Sequence, residues 1–213
     1  MLVIIGIVGF IGSGKGTVSE YLTERYKFNH DSFASSLKDA CAVIFDWPRD
    51  LLEGDTTESR SWREEVDTWW AKELNIPNFS PRYALQLIGT DSLRNHFNQN
   101  LWFLTLANRV RKNPEKNIVI SDVRFPNEIN FIRQNKGYLF RVIRGKNPVW
   151  FETAYLANQG DESALDTMIT TYSSVHFSEW AWIGKDVDYT VDNNGSFDNL
   201  ITNIDSIMNK IQS

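Results

Sequence analysis

Short apolar runs alternate along this chain with stretches in which apolar positions return every three or four residues. That alternation predicts an α/β fold on a parallel sheet. The runs place strands at Leu2 to Val8, Phe28 to Phe33, Asn117 to Ser121, Tyr138 to Ile143 and Asp188 to Val191. The helical periodicity covers Lys15 to Tyr26, Ser35 to Phe45, Arg60 to Glu73, Arg82 to Phe97, Leu101 to Arg111, Pro126 to Gln134 and Phe197 to Ile211. Two stretches break the rhythm. Trp47 to Phe79 is rich in charge and tryptophan, and Gly145 to about Lys185 is too long for an ordinary connection.

The first strand runs into Gly9-Phe10-Ile11-Gly12-Ser13-Gly14-Lys15-Gly16-Thr17 and then into a helix. This is the strand, glycine loop and helix setting of a phosphate-binding P-loop. Its glycines let successive backbone N–H groups point at one anion, the helix adds its positive end, and the lysine reaches the β- and γ-phosphates. Gly12, Ser13, Gly14, Lys15, Gly16 and Thr17 are therefore expected to bind ATP. The usual hydroxyl that follows the lysine and sits on Mg²⁺ is replaced by Gly16, with Thr17 one place later. The metal must then be held through water, through Thr17 or by a carboxylate elsewhere. The Gly-Lys-Gly-Thr ending resembles the loop of nucleoside monophosphate kinases.

Composition narrows the class. With 213 residues and 42% hydrophobic content the chain supports one ordinary domain with inserts. A net charge of −5 argues against a protein that coats polymeric nucleic acid. No apolar stretch approaches the roughly 20 residues that cross a bilayer, and no basic segment precedes the first strand as in a signal peptide. A cytoplasmic protein without a membrane partner is expected. Cys41 is the only cysteine and reads as a small core residue, and the three histidines lack metal-ligand spacing. Most of the eight tryptophans read as amphipathic core fillers, with one or two free to stack on a base.

The third strand ends in Asp122, followed by Val123, Arg124, Phe125, Pro126, Asn127 and Glu128. An apolar strand ending in a carboxylate beside a P-loop is the arrangement that holds Mg²⁺ or its waters, and it fills the gap left by Gly16. Arg124 is suited to a bidentate phosphate contact. Glu128 reads equally as a ligand or as a dipole partner of the next helix. After the second strand come Asp31, Phe33, Ser35, Ser36 and Lys38; one of the serines can cap the following helix, and Lys38 in its first turn can reach an acceptor phosphate. Asp31 competes with Asp122 for the magnesium shell or positions the acceptor. In Ser80-Pro81-Arg82 through Arg94, α-helical spacing puts Arg82, Gln86 and Gly89 on one face: a guanidinium for phosphate, an amide for a base edge and a gap for a ligand. The bland alternative makes Gly89 a helix C-cap.

These strings, together with His176-Phe177-Ser178-Glu179, occur in an order that resembles the bacteriophage deoxynucleoside monophosphate kinases over most of the chain. The resemblance implies a three-layer P-loop fold on a five-stranded parallel sheet, with a substrate cap at about 47–79 and a lid at about 145–185. It implies transfer of the γ-phosphoryl of ATP, with Mg²⁺, to a dNMP to give dNDP and ADP. Onto matching positions it places Lys15 on the donor phosphates, Asp122 at the metal, and Arg124, Lys38, Arg82 and Gln86 on the acceptor side; Arg124 is also expected to neutralise the transferring phosphoryl group, and Thr17 to share the metal. Asp31, Phe33, Thr90 and Arg94 in the same strings complete the expected acceptor site. One departure stands out: from Lys146 to Gly184 there is no arginine. Arg141, Arg144 and Arg133 are the nearest substitutes for lid cations, with Arg144 assigned to ATP, unless the lid closes through backbone and aromatic contacts. Two rival readings remain, a kinase for another small molecule and a nucleotide-dependent switch or ATPase. A homodimer is left open.

Overall fold

A computed structural model describes residues 2–212. In chain order the elements are β1 (Ile4–Val8), α1 (Lys15–Tyr26), β2 (Asn29–Asp31), α2 (Ser35–Phe45), α3 (Thr57–Glu64), α4 (Thr68–Glu73) and α5 (Pro81–Gln86). A π-helix (Leu87–Phe97), α6 (Leu101–Lys112), β3 (Ile118–Ile120), α7 (Pro126–Gln134) and β4 (Tyr138–Ile143) come next. The chain continues through α8 (Phe151–Asn158), α9 (Glu162–Thr170), a one-turn 3₁₀ helix (Phe177–Glu179), β5 (Tyr189–Asp192) and α10 (Phe197–Gln212). The chain forms two compact units, the described residues of Met1–Ser32 with Asn113–Ser213, and Phe33–Lys112.

The first unit holds the sheet. Its five strands run parallel in the order β2-β3-β1-β4-β5. Every residue of β1 and β3 is buried, as expected of central parallel strands with both faces covered. On one face Ile5 and Ile7 pack with Val18 and Leu22 of α1 and with Leu200, Ile204, Ile207 and Met208 of α10. The spacing of those α10 residues is the apolar stripe read from the sequence. The order places β1 centrally, so its C-terminal end, where the glycine loop begins, has β3 on one side and β4 on the other. Ligands bind at such strand ends in open α/β sheets.

The second unit is helical, and its core is aromatic. Phe45 stacks on Trp47 at 4.4 Å and meets Trp70 and Phe79 edge-on at 5.1 and 5.3 Å. The indoles are satisfied: buried Trp47 donates through Nε1 to Asp67 Oδ2 (2.9 Å) and half-buried Trp70 through Nε1 to the Phe45 carbonyl (3.2 Å). Core-filling tryptophans are thus the rule here, and Cys41 is fully buried as expected. Trp69 departs from the rule at 59% exposure.

Two helices differ from the sequence reading. The stretch read as one helix from Arg60 to Glu73 is two, because Glu65 turns extended (ψ 137°) and Asp67 caps a new helix by accepting from Trp70 N at 3.0 Å. Arg82 to Phe97 begins as α5 and widens into the π-helix. Gly89 therefore is not a C-cap. It is buried inside the π-helix, where a Cβ would lie 2.4 Å from Leu37 Cδ2, and its carbonyl accepts from Trp102 Nε1 at 2.7 Å. Because the i→i+5 pattern needs more residues per turn, Gln86 and Gly89 no longer share the face that α spacing predicts. Gln86 is exposed while Gly89 is enclosed.

Candidate active site

The loop between β1 and α1 takes its shape from glycine. Gly9, Gly12 and Gly14 have φ of 151°, 77° and 99°, values that side chains strongly disfavour. At Gly14 space is also short, since a Cβ would sit 2.2 Å from Asn193 Nδ2. Asn193, just beyond β5, donates through that nitrogen to the Ser13 carbonyl at 2.9 Å and so ties the loop to the sheet. Sequence reasoning missed Asn193, because nothing in a lone Asn after a strand says which loop it will meet. Ser13 is buried with no hydrogen-bond partner for its hydroxyl among the described residues, while Gly12 and Gly16 are exposed and Thr17 is half-buried.

Lys15 folds back over the loop. Its Nζ donates to the carbonyls of Gly9 (2.8 Å) and Phe10 (2.9 Å). Burial, followed by the nearby Arg124 charge, lowers its pKa to about 8, against the opposing pull of Glu179 and Asp122. The side chain is thus a desolvated cation whose hydrogen bonds run to neutral oxygens. An incoming phosphate relieves that cost directly.

Lys15, Asp122 and Arg124, assigned to catalysis from sequence alone, line one cavity with Gly9, Val123, Ser178, Glu179 and Trp182. Asp122 and Arg124 arrive there because β3 ends beside β1, in register Gly6 with Ile120. Glu128 serves the backbone. Its Oε2 accepts from the backbone N–H groups of Arg124 (2.8 Å) and Phe125 (3.0 Å), and it is buried at the start of α7. This satisfies donors that the helix leaves free and fixes the Asp122–Arg124 loop.

A metal fits this donor set in one way. Asp122 offers a carboxylate at the cavity and Thr17 a hydroxyl in the first turn of α1, both hard oxygen ligands of the kind Mg²⁺ takes. Among the described residues there is no cluster of three or more His, Cys, Asp or Glu placed to hold an ion. Mg²⁺ held at Asp122 would take its remaining ligands from water and substrate phosphates, as it commonly does.

The segment from Gly145 to Lys185 meets the glycine loop through aromatic side chains. Phe10 lies 5.4 Å from Trp150, 6.1 Å from Phe151 and 5.2 Å from Trp182. Arg141 of β4 reaches this segment: its guanidinium lies 5.1 Å from the Phe151 ring and 5.4 Å from Trp182. Burial lowers its pKa, and its hydrogen bond runs to Asn147 Oδ1 at 3.0 Å. Arg133 is occupied elsewhere, held by Asp188 at 2.5 Å. Arg144 lies just past β4 and is exposed. Asp31, at the end of β2, accepts from the Ser32 backbone N–H at 2.7 Å.

The remaining acceptor-side candidates belong to the helical unit and are described within it. Lys38 donates to Glu53 Oε2 at 2.5 Å, and Arg49 holds the other carboxylate oxygen at 2.5 Å. Burial pushes the Glu53 carboxyl up, but these two cations outweigh it and leave the pKa below its usual value. Arg82 pairs with Glu64 at 3.0 Å on the surface. Gln86 is exposed, Phe33 is buried, and Thr90 and Arg94 are half-buried in the π-helix. Arg109 on α6 donates to Ser36 Oγ at 2.7 Å, which brings a cation to the start of α2 that the sequence reading did not single out.

Against known proteins, the profile of the family described as "Deoxynucleotide monophosphate kinase" matches residues 53–204. A protein of Acanthamoeba polyphaga mimivirus, provisionally named deoxynucleotide monophosphate kinase, is 36% identical over 157 residues, which cover 67% of this chain and 75% of that one. The "Deoxynucleoside-5'-monophosphate kinase" of Escherichia phage T5 is 40% identical over 55 residues, 26% of this chain and 22% of the phage protein.

Proposed function

This chain belongs to the deoxynucleotide monophosphate kinase family, and from that premise we propose that it transfers the γ-phosphoryl group of ATP to a deoxynucleoside monophosphate, giving ADP and dNDP. The observation that carries the reading to particular residues is the convergence of Lys15, from the glycine loop, with Asp122 and Arg124, from the end of β3, on one cavity. Phosphoryl transfer asks for two anions brought into line and for cations where charge spreads over the transferring oxygens. Lys15 exchanges its two backbone carbonyls for donor phosphate oxygens, and Arg124 faces the transferring group. Asp122, with Thr17, would hold Mg²⁺, which neutralises phosphate charge when bound. No general base is needed, because an oxygen of the acceptor phosphate is already a nucleophile.

Lys38, Arg82, Gln86, Asp31, Phe33, Thr90 and Arg94 form the proposed acceptor side, and Arg144 is the proposed ATP contact beyond β4. The segments at about 47–79 and 145–185 act as cap and lid of a single kinase domain, and aromatic contacts between Phe10 and the latter segment favour a lid that closes without its own arginines. No described helix is long and apolar enough to cross a membrane, in keeping with a cytoplasmic enzyme acting on small nucleotides. A panel of dNMPs and NMPs, each incubated with ATP and Mg²⁺ and compared with a control lacking acceptor, tests the reading. Acceptor-dependent ADP formation with at least one dNMP is expected. Equal ADP release without acceptor would indicate an ATPase, and silence with every nucleotide would indicate a kinase for another metabolite.

A further inference from the structure

Arg124 is not simply exposed to the cavity; one of its nitrogens is tethered. Nη1 donates to Glu179 Oε1 at 2.6 Å and to Ser178 Oγ at 3.1 Å. Nε and Nη2 have no hydrogen-bond partner among the described residues, and the side chain remains 42% exposed. A guanidinium held by one terminal nitrogen keeps the opposite edge, Nε with Nη2, as a two-donor fork matched to two oxygens of a phosphate. An untethered arginine would lose several rotatable bonds when it bound the transferring group.

The tether is itself rigid. Ser178 Oγ lies 2.8 Å from His176 Nδ1, which also accepts the Ser178 backbone N–H at 3.3 Å and so caps the 3₁₀ turn. With the His176 nitrogen as acceptor, the Ser178 hydroxyl donates to it and keeps a lone pair for Arg124. Trp182 Nε1 donates to the Glu179 carbonyl at 3.0 Å. Asn158 of α8 donates through Nδ2 to the carbonyls of Trp180 (2.8 Å) and Ile183 (2.9 Å). Ser178, Trp180, Trp182 and Ile183 are all buried. The turn therefore behaves as a fixed bracket.

The geometry points to Glu179, backed by Ser178 and His176, as a positioning residue that holds Arg124 by Nη1 so that its Nε–Nη2 edge meets the transferring phosphoryl group. In this assignment Glu179 acts through Arg124 rather than on a substrate. Supporting polar groups of this kind typically contribute about 10- to 100-fold to activity. The inference rests on the kinase reading above and is tested in two ways that separate it from that reading.

The first is a double-mutant cycle on turnover. E179A should lower kcat about 10- to 100-fold, with little change in KM for ATP or dNMP, and E179Q, which keeps an acceptor oxygen, should restore part of it. In the R124A background E179A should change kcat by less than about twofold, since independent sites add and coupled ones do not. The same loss from E179A in both backgrounds, or no loss from E179A, would overturn the proposal. The second readout needs no substrate: nitrogen-labelled Arg124 should show two resolved, slowly exchanging Nη signals in the ligand-free protein, merging in E179A but not in E179Q. Merged signals in the wild-type protein would overturn the tether. Failure of the kinase reading would look different, namely wild-type protein silent with every dNMP while the two Nη signals remain resolved.

Discussion

Lys15 and Lys38 both stand in the first turn of a helix, and both are largely withdrawn from water, yet the chain treats their charges in opposite ways. Lys38 sits on the Glu53 carboxylate, which Arg49 also holds, so its charge is answered within its own unit. Lys15 donates to two neutral carbonyls and carries a pKa lowered to about 8 by burial and by Arg124. A charge kept desolvated without an ion-paired carboxylate costs free energy that only an anionic ligand returns. The glycine loop is thus poised for phosphate before any nucleotide arrives. In the proposed acceptor site, Lys38 would have to exchange its internal carboxylate for a phosphate, which leaves less net gain for that contact.

The sharpest way to break this contrast is to remove each lysine. Lys15→Ala should lower dNDP formation by about 10³- to 10⁵-fold, on the scale of other cations acting at a transferring phosphoryl group. Near-normal turnover by that variant would remove Lys15 from the site. Lys38→Ala should act more mildly, raising KM for dNMP by about tenfold, the value of one lost charge-assisted hydrogen bond at the low end of its range. KM for ATP should stay near the wild-type value. A drop in thermal stability with both KM values unchanged would instead make the Lys38–Glu53–Arg49 group purely structural.

Protonation sharpens the comparison further. The folded pKa of Lys15 is about 8, below the ordinary lysine value of 10.5. Between those values the unfolded chain binds the extra proton, so this residue disfavours folding below pH 8 and the penalty fades as pH rises toward 10.5. Nucleotide binding has the opposite sign, since phosphate binds the protonated lysine. ATP affinity should therefore fall by up to about tenfold per pH unit above pH 8, with a proton taken up on binding at pH 9. Calorimetry in buffers of different ionisation heat reads that uptake directly; no uptake would mean that Lys15 is already fully charged in the free protein.

The smallest expected effect concerns the helical unit alone. Gly89→Ala would place a methyl 2.4 Å from Leu37 Cδ2, and the expected cost is about 1 kcal/mol or somewhat more, the low end for overpacking because a leucine terminus can shift. Chemical denaturation of the variant measures it. A neutral result would mean that the π-helix has room its enclosed glycine does not suggest.

The two regions also differ in how much of them the sequence disclosed. The sheet and the glycine loop follow from local pattern: buried strands read as apolar runs, and the loop's glycines, Lys15 and Asp122 fall where strands end. Those positions are set by strand register, which sequence periodicity reports well. The helical unit resisted for equally physical reasons. Asp67 starts a new helix inside what looks like one, and the turn widens after Gln86 although the residues suit an α-helix. The partners of Glu179, Ser178 and Asn193 were illegible in the sequence because Arg124 and Ser13 lie 54 to 180 residues away. Glu128 was legible only as one of two roles, and its hydrogen bonds to the Arg124 and Phe125 backbone select the capping one.

Direct transfer of label is the decisive measurement. With ATP labelled in its γ-phosphate and a dNMP acceptor, the wild-type chain should move the label into dNDP, and the Lys15→Ala variant should leave it in ATP. Label appearing as free phosphate at the same rate with and without dNMP, or transfer undiminished in Lys15→Ala, would contradict the account.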